Sequence, residues 1–157
     1  MTDLPLSWSV ETRGILEGAG WHPGRYRADL VQQAGEELGE FFAGGVPAWA
    51  RSVLAEFGGL RVDLNGPGID CARDGFDLTP TLALGETDRF GRSAQITGTR
   101  LFPLGEASGG HAFLAIGENG RVYLVSDKVE MLGDNIYEAL DAMVTGKRRS
   151  PVEVGQV

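Results

Sequence analysis

The chain has 157 residues, 14 basic and 22 acidic side chains, a formal net charge of −8 and a single cysteine, Cys71. That length is enough for one domain, spanning 1–157, with its own hydrophobic core, and one cysteine excludes an internal disulfide framework. Acidity argues against direct binding of nucleic acid or of an anionic membrane surface, because both rest on neutralising phosphates, and it suits a basic partner instead.

The start, MTDLPLSW, lacks the basic and apolar regions of a signal peptide. No span approaches the roughly 20 apolar residues that a bilayer crossing needs. A cytoplasmic monomer or small homo-oligomer is expected. Glycine, at 24 residues, is scattered rather than periodic and implies many turns.

In chain order, helical spacing first appears at roughly Ser9–Ala19, and the bend WHPGR at Trp21–Arg25 ends it. A second helix is read in YRADLVQQAGEELGEFF, where Tyr26, Leu30, Ala34, Leu38 and Phe41/Phe42 form an apolar stripe. Pro47 suits the first turn of a third helix with Trp49, Val53, Leu54 and Phe57 inward, and Gly58-Gly59 stops it. Beyond that point the period changes to two: Arg61–Leu64 alternates and reads as a strand with one wet face. Phe76–Leu84 is extended, with Pro80 keeping it off a central strand. Thr87 is expected to cap a short helix that Gly98 closes, with Phe90 and Ala94 inward.

The apolar runs His111–Ile116 and Val122–Val125 flank Asn119-Gly120, a strong hairpin signal. Neither run alternates cleanly, so both faces should be covered and the pair should lie centrally in a sheet. Arg100–Leu104 reads as a shorter strand ended by Pro103, or as a loop entering the hairpin. Asn135 and Glu138 form a capping-box pattern for a last helix with Ile136, Ala139, Leu140, Met143 and Val144 inward and Gly146 at its end. The core spans about 9–148, and a loose C-terminal tail follows. Helices, then a strand-rich middle, then a helix give an α+β class.

Chemistry-bearing motifs are scarce. His22, His111 and Cys71 have no metal-ligand spacing, and Asp63–Asp77 lacks the ordered donors of a calcium loop, so no metal or cofactor is expected. GEASGG at Gly105–Gly110 has neither a following GK[ST] nor a helix start, and Glu106 has the wrong sign for phosphate. A small hydrolase using Cys71, with His111 as base, or using paired carboxylates remains an alternative without a motif. No catalytic residues are assigned and the chain is not read as an enzyme.

The acids are unevenly placed. Between Glu56 and Asp88 lie Glu56, Asp63, Asp70, Asp74, Asp77, Glu86 and Asp88 against only Arg61 and Arg73. This segment is either a surface for a basic partner or a solvated loop region; Arg121 and Lys147–Arg149 either rim it or lie opposite it.

Several short pieces in order carry a resemblance. They are GILEGAGWHPGR at Gly14–Arg25, FGGL at Phe57–Leu60, FPLGE at Phe102–Glu106 and GRVYL at Gly120–Leu124, followed by Gly133 and by Glu138, Ala139, Leu140 and Gly146. Together they resemble the third bacterial group of the SUKH superfamily. The resemblance implies a central, mostly antiparallel sheet with flanking helices, and no catalytic motif to carry over. It implies an immunity protein that binds and neutralises a cognate toxin of a polymorphic toxin system, often a nuclease or nucleic-acid deaminase. The FGGL and GEASGG segments would then be fold determinants. Combined with the charge pattern, the expected partner surface is Glu56, Asp63, Asp70, Asp74, Asp77, Glu86 and Asp88, with Phe76 and Phe90 as exposed anchors. A general protein-interaction or regulatory module without a toxin partner is the other reading.

Overall fold

Among the described residues, seven strands form one antiparallel sheet in which every neighbour in space is also the neighbour in sequence. The structure, a computed structural model, describes residues 8–153. The start of the chain, read above for a signal peptide, and the last four residues of the expected tail lie outside the described residues.

Three helices come first: α1 (Val10–Ala19), α2 (Ala28–Glu37) and α3 (Ala48–Phe57). Ser9 caps α1 by accepting a hydrogen bond from the Thr12 amide at 3.1 Å. Helix α2 ends well before Phe41/Phe42, at Leu38-Gly39, and Tyr26 lies outside it with 72% of its surface exposed. The stripe read from spacing alone therefore overran both ends. Gly39 stops the helix, and the Phe41/Phe42 segment is a turn that packs back on the core.

The sheet comprises β1 (Arg61–Val62), β2 (Phe76–Asp77), β3 (Leu101–Ala107), β4 (Ala112–Gly117), β5 (Val122–Val125), β6 (Val129–Gly133) and β7 (Ser150–Val152). Helix α4 (Thr87–Thr97) precedes β3, and α5 (Ile136–Thr145) lies between β6 and β7. Thr87 makes no capping bond; Glu86 occupies the cap position, and Gly98 closes α4 in the left-handed region as expected.

The β4–β5 hairpin is central, and its lack of alternation has a direct cause. Leu114, Ile116, Val122 and Leu124 face a core built with α1, α2, α3 and α5. Phe113, Ala115, Tyr123 and Val125 face a second core with Phe90 of α4. Apolar layers on both faces erase the wet–dry period. Fully burying a side chain such as Leu114 or Leu140 contributes roughly 1.5–3 kcal/mol.

Two further sequence expectations are corrected, and one strand had no counterpart among them. Pro103 does not end β3; it sits inside the strand beside a register shift between Pro103 and Gly105, where a bulge relieves the missing donor. Strand β6 was not foreseen. The tail is not loose at Ser150–Val152, which pairs with Val129–Met131 as an edge strand carrying Pro151. Gly105 shows why FPLGE is a structural motif: a Cβ there would run into the Asp77 carbonyl, so β2 can approach β3 only across a glycine.

Candidate partner-binding surface

Strand pairing brings three charged side chains into one row. Arg61 lies opposite Asp77 on β2, and Asp77 lies opposite Glu106 on β3. Side chains in register across neighbouring strands share a face, so Val62 and Phe76 go into the core while Arg61, Asp77 and Glu106 come out. With Asp63 they line a groove of about 320 Å³, to which α4 contributes no residue. Asp77 Oδ1 accepts a 2.6 Å hydrogen bond from the Thr79 hydroxyl. Among the described residues, Asp63, Asp77 and Glu106 make no ion pair within 4.0 Å. Asp77 thus has a cation opposite it on β1 and a carboxylate opposite it on β3; the first pairing favours the sheet and the second opposes it, and the groove carries three carboxylates against one arginine.

The rest of the expected acidic surface is divided among other tasks. Glu56 is half-buried and structural: Tyr137 Oη donates to Oε1 at 2.6 Å and Trp21 Nε1 to Oε2 at 3.0 Å. Burial, then the hydrogen bond and charge of Glu56, push the Tyr137 hydroxyl far above its usual range. Asp70 accepts a hydrogen bond from the Arg148 amide at 2.8 Å, and Asp74 lies 3.6 Å from Arg149. Glu86, at the cap of α4, pairs with Arg89 at 2.9 Å, and Asp88 in the first turn is exposed. The basic tail thus rims part of the acidic segment rather than lying opposite it.

Phe76 and Phe90 are not exposed anchors. Each keeps only 3% of its surface, Phe76 in the core shared with α3 and α5, Phe90 stacked edge-on against Phe41 at 5.3 Å. Both positions obey the strand and helix periods, which is what places them inward. Glu106 was the groove residue missed in the sequence, since it stands 18 positions beyond the acidic window that ends at Asp88. Only the strand register could have joined it to Asp77.

Asp141 was also missed. It is a buried carboxylate on α5, with Oδ1 taking the Thr12 hydroxyl at 2.5 Å and the Ser9 amide at 3.1 Å, and Oδ2 taking Lys147 Nζ at 2.7 Å. Burial pushes this carboxyl upward, but the hydrogen bonds from Lys147, Thr12 and Ser9 outweigh it and hold the group below the usual carboxylate range.

Cys71 Sγ faces the carbonyls of Gly146 and Lys147, both at 3.5 Å, while His111 is exposed in the turn between β3 and β4. No hydrogen bond joins the two. Among the described residues no three His, Cys, Asp or Glu side chains gather as a metal-holding group, and no helix is long and apolar enough to cross a membrane.

The fold is that of an α+β protein whose sheet carries a charged groove at its β1 end. The chain belongs to the SUKH-3 immunity protein family, whose model matches residues 8–146. No curated protein and no solved structure matches it.

Proposed function

We propose that this chain neutralises a cognate bacterial toxin by occlusion, with the groove of Asp63, Asp77 and Glu106 receiving a basic part of the toxin surface. The family is one of immunity proteins, which gives the toxin as the general partner. The observation that carries the finer reading is the like-charged cross-strand pair Asp77–Glu106, left without an ion pair beside an open groove. A toxin acting on nucleic acid fits this surface, because such an enzyme needs a cationic cleft for its phosphates and a carboxylate-lined edge can fill it. The action is stoichiometric, with no turnover, and takes place in the cytoplasm where such a toxin would act on its own producer.

The test is co-expression and co-purification with the toxin encoded beside its gene, followed by affinity measurements across a salt series. A complex whose affinity falls steeply with salt, and falls again on Asp63→Asn or Asp77→Asn, supports the proposal. Unchanged affinity in both substitutions removes the groove. A gene neighbourhood without a secreted multidomain toxin would favour the interaction-module reading.

A further inference from the structure

Of the basic residues that follow α5, one places a side-chain charge on the acidic segment and the others help to hold its loop. Residues Lys147, Arg148 and Arg149 join α5 to β7, and each meets a carboxylate: Lys147 Nζ reaches Asp141 at 2.7 Å, the Arg148 amide reaches Asp70 at 2.8 Å and Arg149 Nη2 reaches Asp74 at 3.6 Å. The loop bearing Asp70 is fastened to the same place, since the Ile69 amide donates to the Thr145 carbonyl at 2.8 Å and the Asp70 and Cys71 amides donate to the Gly146 carbonyl at 2.7 and 3.0 Å. The Arg149 side chain is only 18% exposed and its Nη2 also lies 3.9 Å from Met143 Sδ, so the guanidinium is seated rather than trailing in solvent.

We infer that Arg149 masks Asp74: seated on it, the guanidinium withdraws that end of the acidic segment from a cationic partner. A partly exposed pair of this kind contributes little to folding. Its field still reaches about 8–10 Å before salt screens it, so an approaching cation meets Arg149 together with Asp74. Arg73, paired with Glu11 at 3.1 Å, adds a second positive charge beside the same loop. Asp63, Asp77 and Glu106 have no ion-pair partner within 4.0 Å among the described residues; Arg61 stands in register with Asp77 on the same groove, so three carboxylates there share one arginine that is not seated on any of them. The inference rests on the toxin-binding reading for its biological use, and it concerns charge availability that can be measured without a toxin.

The experiment is a mutant cycle read with an octa-arginine peptide as cationic probe at low and high salt, using wild type, Asp74→Asn, Arg149→Gln and the double variant, with Asp63→Asn as the groove reference, each checked for an unchanged melting transition. Asp74→Asn alone is expected to leave peptide affinity within about twofold, whereas Arg149→Gln raises it roughly threefold at low salt. The double variant returns to the wild-type value, and Arg149→Lys, which keeps the charge, stays there too. An Asp74→Asn loss in the wild-type background as large as that of Asp63→Asn, or no gain in Arg149→Gln, overturns the inference. Repeating the cycle with the toxin encoded beside the gene separates the two ideas: the peptide pattern without toxin binding sinks the toxin reading and leaves the role of Arg149 standing.

Discussion

Tyr137 Oη donates a 2.6 Å hydrogen bond to Glu56 Oε1, tying α5 to α3 across 81 positions of the chain. The opposite oxygen of the same carboxylate takes the Trp21 indole, and Trp8 stacks edge-on against Trp21 with ring centroids 4.8 Å apart. Glu56 is therefore part of the scaffold. Glu56→Gln takes the charge out of both hydrogen bonds and makes Tyr137 Oη the acceptor in one of them, and it is expected to lower stability by roughly 1–3 kcal/mol in urea denaturation while leaving toxin affinity unchanged. A loss of affinity at unchanged stability would return Glu56 to the interface.

The same bond has an alkaline signature. The folded-state pKa of Tyr137 is raised, so its stabilisation is fully present below the ordinary tyrosine value of about 10 and is lost as pH rises beyond it. Tyr137→Phe is expected to flatten the alkaline limb of a stability profile.

Asp141 gives the converse behaviour. Its carboxyl is held low in the folded chain, so its contribution is present above the unfolded value of about 3.9 and fades as pH falls through the folded one. Asp141→Asn is expected to cost about 2 kcal/mol at neutral pH, since it weakens charge-assisted hydrogen bonds from Lys147, Thr12 and Ser9. The difference from wild type should narrow below about pH 4; a constant gap down to pH 2 would show that the carboxylate charge is not what matters.

Gly68 and Gly146 cross in contact where the acidic loop meets the end of α5. A Cβ on Gly68 would lie 2.5 Å from the Cys71 carbonyl and 2.6 Å from Gly146 Cα, and Gly146 itself has φ +71°. Gly68→Ala is expected to lift the loop off Thr145 and Gly146, and faster tryptic cleavage after Arg73 reports it. Gly146→Ala adds backbone strain of roughly 1–3 kcal/mol. Wild-type cleavage rates in both would show that the crossing can relax without releasing the loop.

Phe90 decides whether α4 is held by packing. Phe90→Ala empties a site between Phe41 and Phe113 and is expected to cost about 3–5 kcal/mol. Calorimetry checks it; a change below 1 kcal/mol would mean that α4 packs through other residues.

Most of the helices were legible because capping and periodicity are local: Ser9, Asn135, Gly98 and Gly146 mark ends that depend on a few neighbouring residues. The central hairpin was legible from Asn119-Gly120 and two apolar runs. Strand β6 and the pairing of Ser150–Val152 were not, because short strands acquire their hydrogen bonds only from a neighbour already in place.

The sequence by itself determined the acidity, the α+β order of elements and the family resemblance, all of which are properties of composition or of short contiguous runs. Only the tertiary structure decided which acids lie together. Seven carboxylates in one window looked like one surface, yet the fold sends Glu56 inward, gives Asp70 and Asp74 to the chain's own basic segment, and joins Asp77 to the distant Glu106. The reason is physical: charge sums along a chain without regard to direction, whereas strand register and helix docking fix which way each side chain points.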